Sequence, residues 1–138
     1  MLSLSQIYHY FDLLKDKVSY GWGEVFGHLF VKIYLAILFL QNISLWGFVW
    51  LFYSHVGSGL TILHFNVDFG IDLVGEANKL FNIPLLGLFI SLLNFFLLFV
   101  FLKHKNFRFI AYLLLTSAVL VNFFLSLALG PIYWINFR

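Results

Sequence analysis

Cysteine is missing from this 138-residue sequence and charge is scarce, with eight Lys or Arg and six Asp or Glu. Without cysteine there is no disulfide, thiolate metal site, cysteine nucleophile or cysteine-borne lipid. Charged residues make up 10% and hydrophobic ones 62%, where a soluble domain has roughly 25% and 45–50%. A small domain leaves much of its surface in solvent and could not hide so many Phe, Leu and Ile side chains. An ordinary soluble fold is therefore excluded, and lipid is the remaining solvent. The net charge of +2 is small and dispersed, without the clustered basic face that nucleic acid requires.

Catalytic signatures are absent too. Ser58 sits in Val-Gly-Ser-Gly-Leu rather than in a nucleophile elbow, and neither a phosphate loop nor a dinucleotide fingerprint occurs. The chain reads as a nonenzyme without a cofactor.

What the sequence does have is three long intervals free of Asp, Glu, Lys and Arg: Lys32 to Asp68, Lys79 to Lys103 and Arg108 to Arg138. A helix needs about 20 apolar residues to cross roughly 30 Å of hydrocarbon at 1.5 Å per residue. The intervals predict an all-α membrane protein with three transmembrane helices, over 33–54, 81–102 and 109–129. The first run fits a cleavable signal poorly, because the preceding region is long and carries acids as well as lysines.

Ahead of the first span, Leu4, Ile7, Tyr8, Phe11, Leu14 and Val18 recur at steps of three and four. That stripe makes residues 1–27 an N-terminal amphipathic interfacial helix, with Gly21, Trp22 and Gly23 leading into the bilayer. The basic connection Lys103 to Arg108 is too short to separate the second and third helices, which must be antiparallel neighbours.

Lys15, Lys17, Lys32, Lys103, Lys105 and Arg108 fall on one side of this arrangement, and only Lys79 and Arg138 on the other. The positive-inside rule then puts the amino terminus in the cytoplasm, and residues 55–80 and the tail 130–138 outside a bacterial cytoplasmic membrane. In the outer segment, Thr61 to Phe69 alternates in period two, the pattern of a short extended or hairpin-like loop, with Gly70 and Gly75 expected to supply turns.

Polar residues inside the spans are the first candidate site. Gln41, Asn42, Asn94 and Asn122 lie near mid-depth with Ser91 and Thr116, where lipid offers no hydrogen-bond partner, so they are expected to bond between helices. No Asp, Glu, Lys, Arg or His lies within the three spans, which disfavours a pump or secondary transporter. His55, His64, Asp68, Asp72 and Glu76 include metal-ligand types, but in a strand His64 and Asp68 stand about 13 Å apart, and they read as solvated loop residues.

Leu63-His64-Phe65-Asn66-Val67-Asp68-Phe69-Gly70-Ile71-Asp72, followed by Ile83-Pro84-Leu85-Leu86-Gly87, resembles a motif of the uncharacterised domain in SdpI-type bacteriocin-immunity membrane proteins. The resemblance covers residues 63–100 and rests on His64, Asn66, Gly70, Asp72 and the helix opened by Pro84; Thr61-Ile62-Leu63 lacks the proline that usually precedes the triplet. It implies a shared extracytoplasmic turn and, as a function, immunity.

The residues themselves point to a noncatalytic subunit or accessory factor of a membrane complex. Its partners would be the lipid bilayer and other membrane proteins or further copies of itself. An oligomeric channel lined by Gln41, Asn42, Asn94 and Asn122 is the other alternative.

Overall fold

The computed structural model describes residues 21–66, 68 and 70–137, apart from the side chains of Phe65 and Asn66. The interfacial stripe expected over 1–27 therefore lies outside the described residues up to residue 20. Residues 21–27 are helical, and a break at His28 leads into α1, Leu29–Val56. A hairpin of β1, Leu60–Asn66, and β2, Gly70–Glu76, follows. A 3-10 turn, Ala77–Phe81, opens into α2, Asn82–Phe101, and α3 runs from Phe107 to Asn136.

Three helices, Leu29–Val56, Ala77–Phe101 with its 3-10 turn, and Phe107–Asn136, are long and apolar enough to cross a bilayer. Only 22%, 17% and 22% of their most apolar windows are buried inside the chain, so most of the apolar surface is left for hydrocarbon. This is an all-α integral membrane protein. At 1.5 Å per residue α1 and α3 are roughly 42 and 45 Å long, more than the hydrocarbon thickness, which accommodates Lys32 and His55 near the ends of α1.

Between α2 and α3 the chain turns on two short bonds, from His104 N–H to Phe101 C=O at 2.8 Å and from Phe107 N–H to His104 C=O at 2.9 Å. This turn makes the two helices antiparallel neighbours and gathers Lys103, Lys105 and Arg108 at the end of the bundle where α1 begins.

The third helix does not stop at Leu129. It continues through Gly130 and Pro131 to Asn136, so most of the segment expected as a tail is helical. Proline removes one N–H and frees the Leu127 carbonyl, while the apolar run Ile132 to Ile135 keeps the extra turns packed on α1 through Phe48 and Tyr133.

Two apolar clusters form the core. Val25, Val31, Leu38, Leu98, Phe107, Ala111, Leu115 and Ala118 fill the basic end. Leu45, Val49, Phe52, Ala77, Leu80 and Leu129 fill the hairpin end. On α1 the buried residues Val31, Leu38, Asn42, Leu45, Val49 and Phe52 recur at steps of three, four and seven, the seam spacing of packed helices. Asn42 and Asn122 fall between the two clusters, so the core is apolar, polar, apolar along the bundle axis.

Gly57 ends α1 with φ +67°, its N–H returning 2.8 Å to the Tyr53 carbonyl, a conformation glycine adopts without penalty. Gly70, at φ +80°, opens β2 after the turn. Gly75 departs from expectation: it lies within β2, paired with Thr61, and supplies no turn. A Cβ there would stand 2.7 Å from Leu63 Cδ1, so the position requires close approach rather than a reversal. The strict two-residue alternation also fails, because the register shifts between Ile62 and His64 and again before Phe65.

Candidate functional site

The mid-depth layer is built from amides on α1 and α3 facing backbone on α2 and α3. Asn42 donates from Nδ2 to the Pro84 carbonyl at 3.2 Å, joining α1 to the first turn of α2. Asn122 donates to Ser91 Oγ at 3.0 Å, to the Gly87 carbonyl at 3.4 Å and to Ala118 C=O of its own helix at 3.0 Å. Ser91 returns its hydroxyl hydrogen to Gly87 C=O at 2.8 Å. Gln41 reaches the Val119 carbonyl at 3.4 Å, and nearer the basic end the Tyr34 and Thr116 hydroxyls meet at 3.0 Å. Every helix pair thus has a polar tie in or beside one layer, each such tie contributing about 0.6–2 kcal/mol.

Asn94 is not part of that layer. It donates to Ile90 C=O one turn back, at 2.9 Å, and so ties nothing across helices. Two side-chain oxygens in the layer, Gln41 Oε1 and Asn122 Oδ1, are buried without a hydrogen-bond donor. Asn122 Oδ1 faces the Gly87 Cα, where a Cβ would stand 2.5 Å away; one glycine hydrogen points along that direction and offers a weak Cα–H···O contact.

The hairpin is the second candidate. His64 Nδ1 meets both carboxylate oxygens of Asp72 across the strands, at 2.7 and 2.9 Å. His64 is thus paired with Asp72 on the facing strand. The Asn66 side chain lies outside the description. Among the described residues no group of three His, Cys, Asp or Glu side chains is placed to hold a metal. His55 bonds within its own helix, its Nδ1 2.7 Å from the Leu51 carbonyl.

A residue that sequence reasoning missed anchors this hairpin. Asn136, in the last turn of α3, accepts from the Thr61 hydroxyl at 2.6 Å and from Ile62 N–H at 2.9 Å through Oδ1, and donates from Nδ2 to Ile62 C=O at 2.9 Å. Its amide thereby stands in for a neighbouring strand, pairing both backbone groups of Ile62. The remaining Nδ2 hydrogen closes the helix on Ile132 C=O at 2.8 Å. A polar residue after an apolar helix was the available signal, but its partner is 74 residues away and nothing local names it.

On the hairpin, Leu60 of β1 and Ile71, Leu73 and Val74 of β2 are all more than half exposed, from 52% to 77%. Compared with family models, curated proteins and solved structures, the chain matches none.

Proposed function

We propose that this chain is a noncatalytic subunit or accessory factor of a membrane complex, held by its helices in a bacterial cytoplasmic membrane. In this reading the basic end and the amino-terminal interfacial helix are cytoplasmic and the hairpin is outside, by the balance of lysine and arginine. The observation that carries the reading is the hairpin: Ile71, Leu73 and Val74 of β2 are each more than half exposed, and an exposed apolar patch is the mark of a contact surface. The mid-depth polar groups support it as well, because Gln41, Asn42 and Asn122 bond among the chain's own helices.

Gentle detergent extraction of the tagged full chain from its native membrane, followed by mass measurement, tests this. A species heavier than one chain is expected, and it should dissociate when Ile71, Leu73 and Val74 are replaced together by Thr. A strictly monomeric species would contradict the reading.

The His64–Asp72 pair favours one second reading, immunity of the SdpI type, in which the hairpin intercepts a toxin outside the membrane. Replacing His64, Asn66 and Asp72 together should then remove toxin resistance while leaving membrane insertion intact; unchanged resistance dismisses it.

A further inference from the structure

Between α1 and α2 a groove of about 380 Å³ opens sideways from the bundle. On α1 its wall runs from Leu35 to Ile43, and on α2 from Leu88 to Phe95. Trp22 and Phe26 of the preceding helical segment line it toward the basic end. Trp22 stacks on Phe26 at 5.2 Å and packs its ring against Phe95 at 5.9 Å and Phe99 at 5.4 Å, so this part of the wall is held by packing.

The groove's shape selects its occupant. Leu35 to Ile43 spans roughly 12 Å of helix rise, which gives a mean cross-section on the order of 30 Å², whereas a helix about 10 Å across needs roughly 80 Å². A whole transmembrane helix cannot sink into it; between a hydrocarbon chain and the side chains of a partner helix, the cation at its end favours an anionic lipid. The polar residues in the wall are partly engaged: Asn42 Nδ2 donates one hydrogen to Pro84 C=O, and the Ser91 hydroxyl donates to Gly87 and accepts from Asn122. The remaining walls are aliphatic or aromatic.

Charge at the groove's mouth adds the head. Lys32 stands three residues before Leu35 and seven before Phe39, on the same face of α1 by the 3.6-residue period, and it is exposed. Lys103, Lys105 and Arg108 lie at the same end of the bundle, while Glu24 is on the side of its helical segment opposite Trp22 and Phe26. A lysine ammonium at headgroup level attracts an anionic lipid.

We infer that the groove between α1 and α2 is a specific site for one acyl chain of an anionic phospholipid, with its headgroup at Lys32. This goes beyond the subunit reading and does not depend on it.

Native mass spectrometry of the full chain, purified in mild detergent and supplied with phosphatidylglycerol or phosphatidylcholine, tests it. One phosphatidylglycerol should stay bound per chain and be retained at least five-fold over phosphatidylcholine. Leu92→Trp, which fills the groove from an exposed position, should lose most of that lipid. Phe124→Trp, on a lipid-exposed face of α3 outside the groove, should keep it. Lys32→Gln should remove the headgroup preference without touching the groove, which keeps the test decisive even if Leu92→Trp fails to fold. Equal retention of both lipids by the wild-type chain, unchanged retention in folded Leu92→Trp, or a lipid-free dimer in place of the lipid-bound chain would overturn the site.

Discussion

Asn122 Oδ1 on α3 occupies the space where a side chain on Gly87 of α2 would begin, 2.5 Å from that Cβ position. The two helices are therefore held at a separation that only glycine permits, and the same asparagine ties them through Ser91 and the Gly87 carbonyl. Gly87→Ala must displace Asn122 or push α2 outward, and Leu125 Cδ1, 3.3 Å away, narrows the escape. A loss of about 1–3 kcal/mol is expected, read by denaturant titration in mixed micelles. Combining it with Asn122→Ala should cost less than the two single changes added together; strict additivity would show that the two residues do not press on one another.

Asn122→Leu and Asn94→Leu remove the same chemical group at similar depth, yet they should differ. Asn122 loses bonds to a neighbouring helix and should destabilise by about 1–2 kcal/mol. Asn94 loses only a bond within its own turn, so its replacement should stay within about 0.5 kcal/mol of wild type. Equal losses in the same titration would remove the distinction between the two amides.

Gln41→Leu tests the buried oxygen that has no donor. The substitution gives up one long bond, 3.4 Å to Val119 C=O, and relieves an unpaired acceptor whose burial costs about 1–3 kcal/mol. Stability should hold or rise. A clear fall would mean that Gln41 Oε1 has a partner in the membrane.

Asn136→Leu should free the hairpin from α3 while leaving the spans in place. The Ile62 amide would lose its acceptor, so its hydrogen exchange should accelerate by at least ten-fold, with exchange in the middle of α3 unchanged. Asn136→Asp, which keeps the acceptor for Thr61 and Ile62 but loses the donor to Ile62 C=O, should fall between. Unchanged exchange at Ile62 in Asn136→Leu would deny the strand-like role of the amide.

The three spans were legible because hydrocarbon tolerates no charge, and the intervals bounded by Lys32, Lys79 and Arg108 say so directly. The faces along which the spans pack were harder to read. In water the buried stripe of a helix is its apolar one, but here Phe39 and Phe124 on exposed faces are as apolar as Leu38 and Leu115 in the core. Small and polar residues carry the signal instead, as at Gly87, Ala111, Ala118 and Asn122. Helix ends were blurred for a related reason: Gly130-Pro131 reads as a stop, yet tertiary packing on Phe48 and Phe52 carries α3 past it. Polar pairs between elements, such as Asn136 with Ile62 or His64 with Asp72, depend on how the strands are placed and shifted in register, and no periodicity in the sequence encodes them.

Because the chain has no cysteine, single introduced cysteines report topology without background. In intact cells a membrane-impermeant maleimide should label Ser58→Cys and Phe137→Cys, at the hairpin end, and should reach Glu24→Cys and Lys105→Cys only after the membrane is opened. The whole pattern inverted would keep three crossings and reverse the orientation. Labelling of Ser58→Cys and Lys105→Cys from the same side would contradict the account at its centre, since no helix could then cross between them.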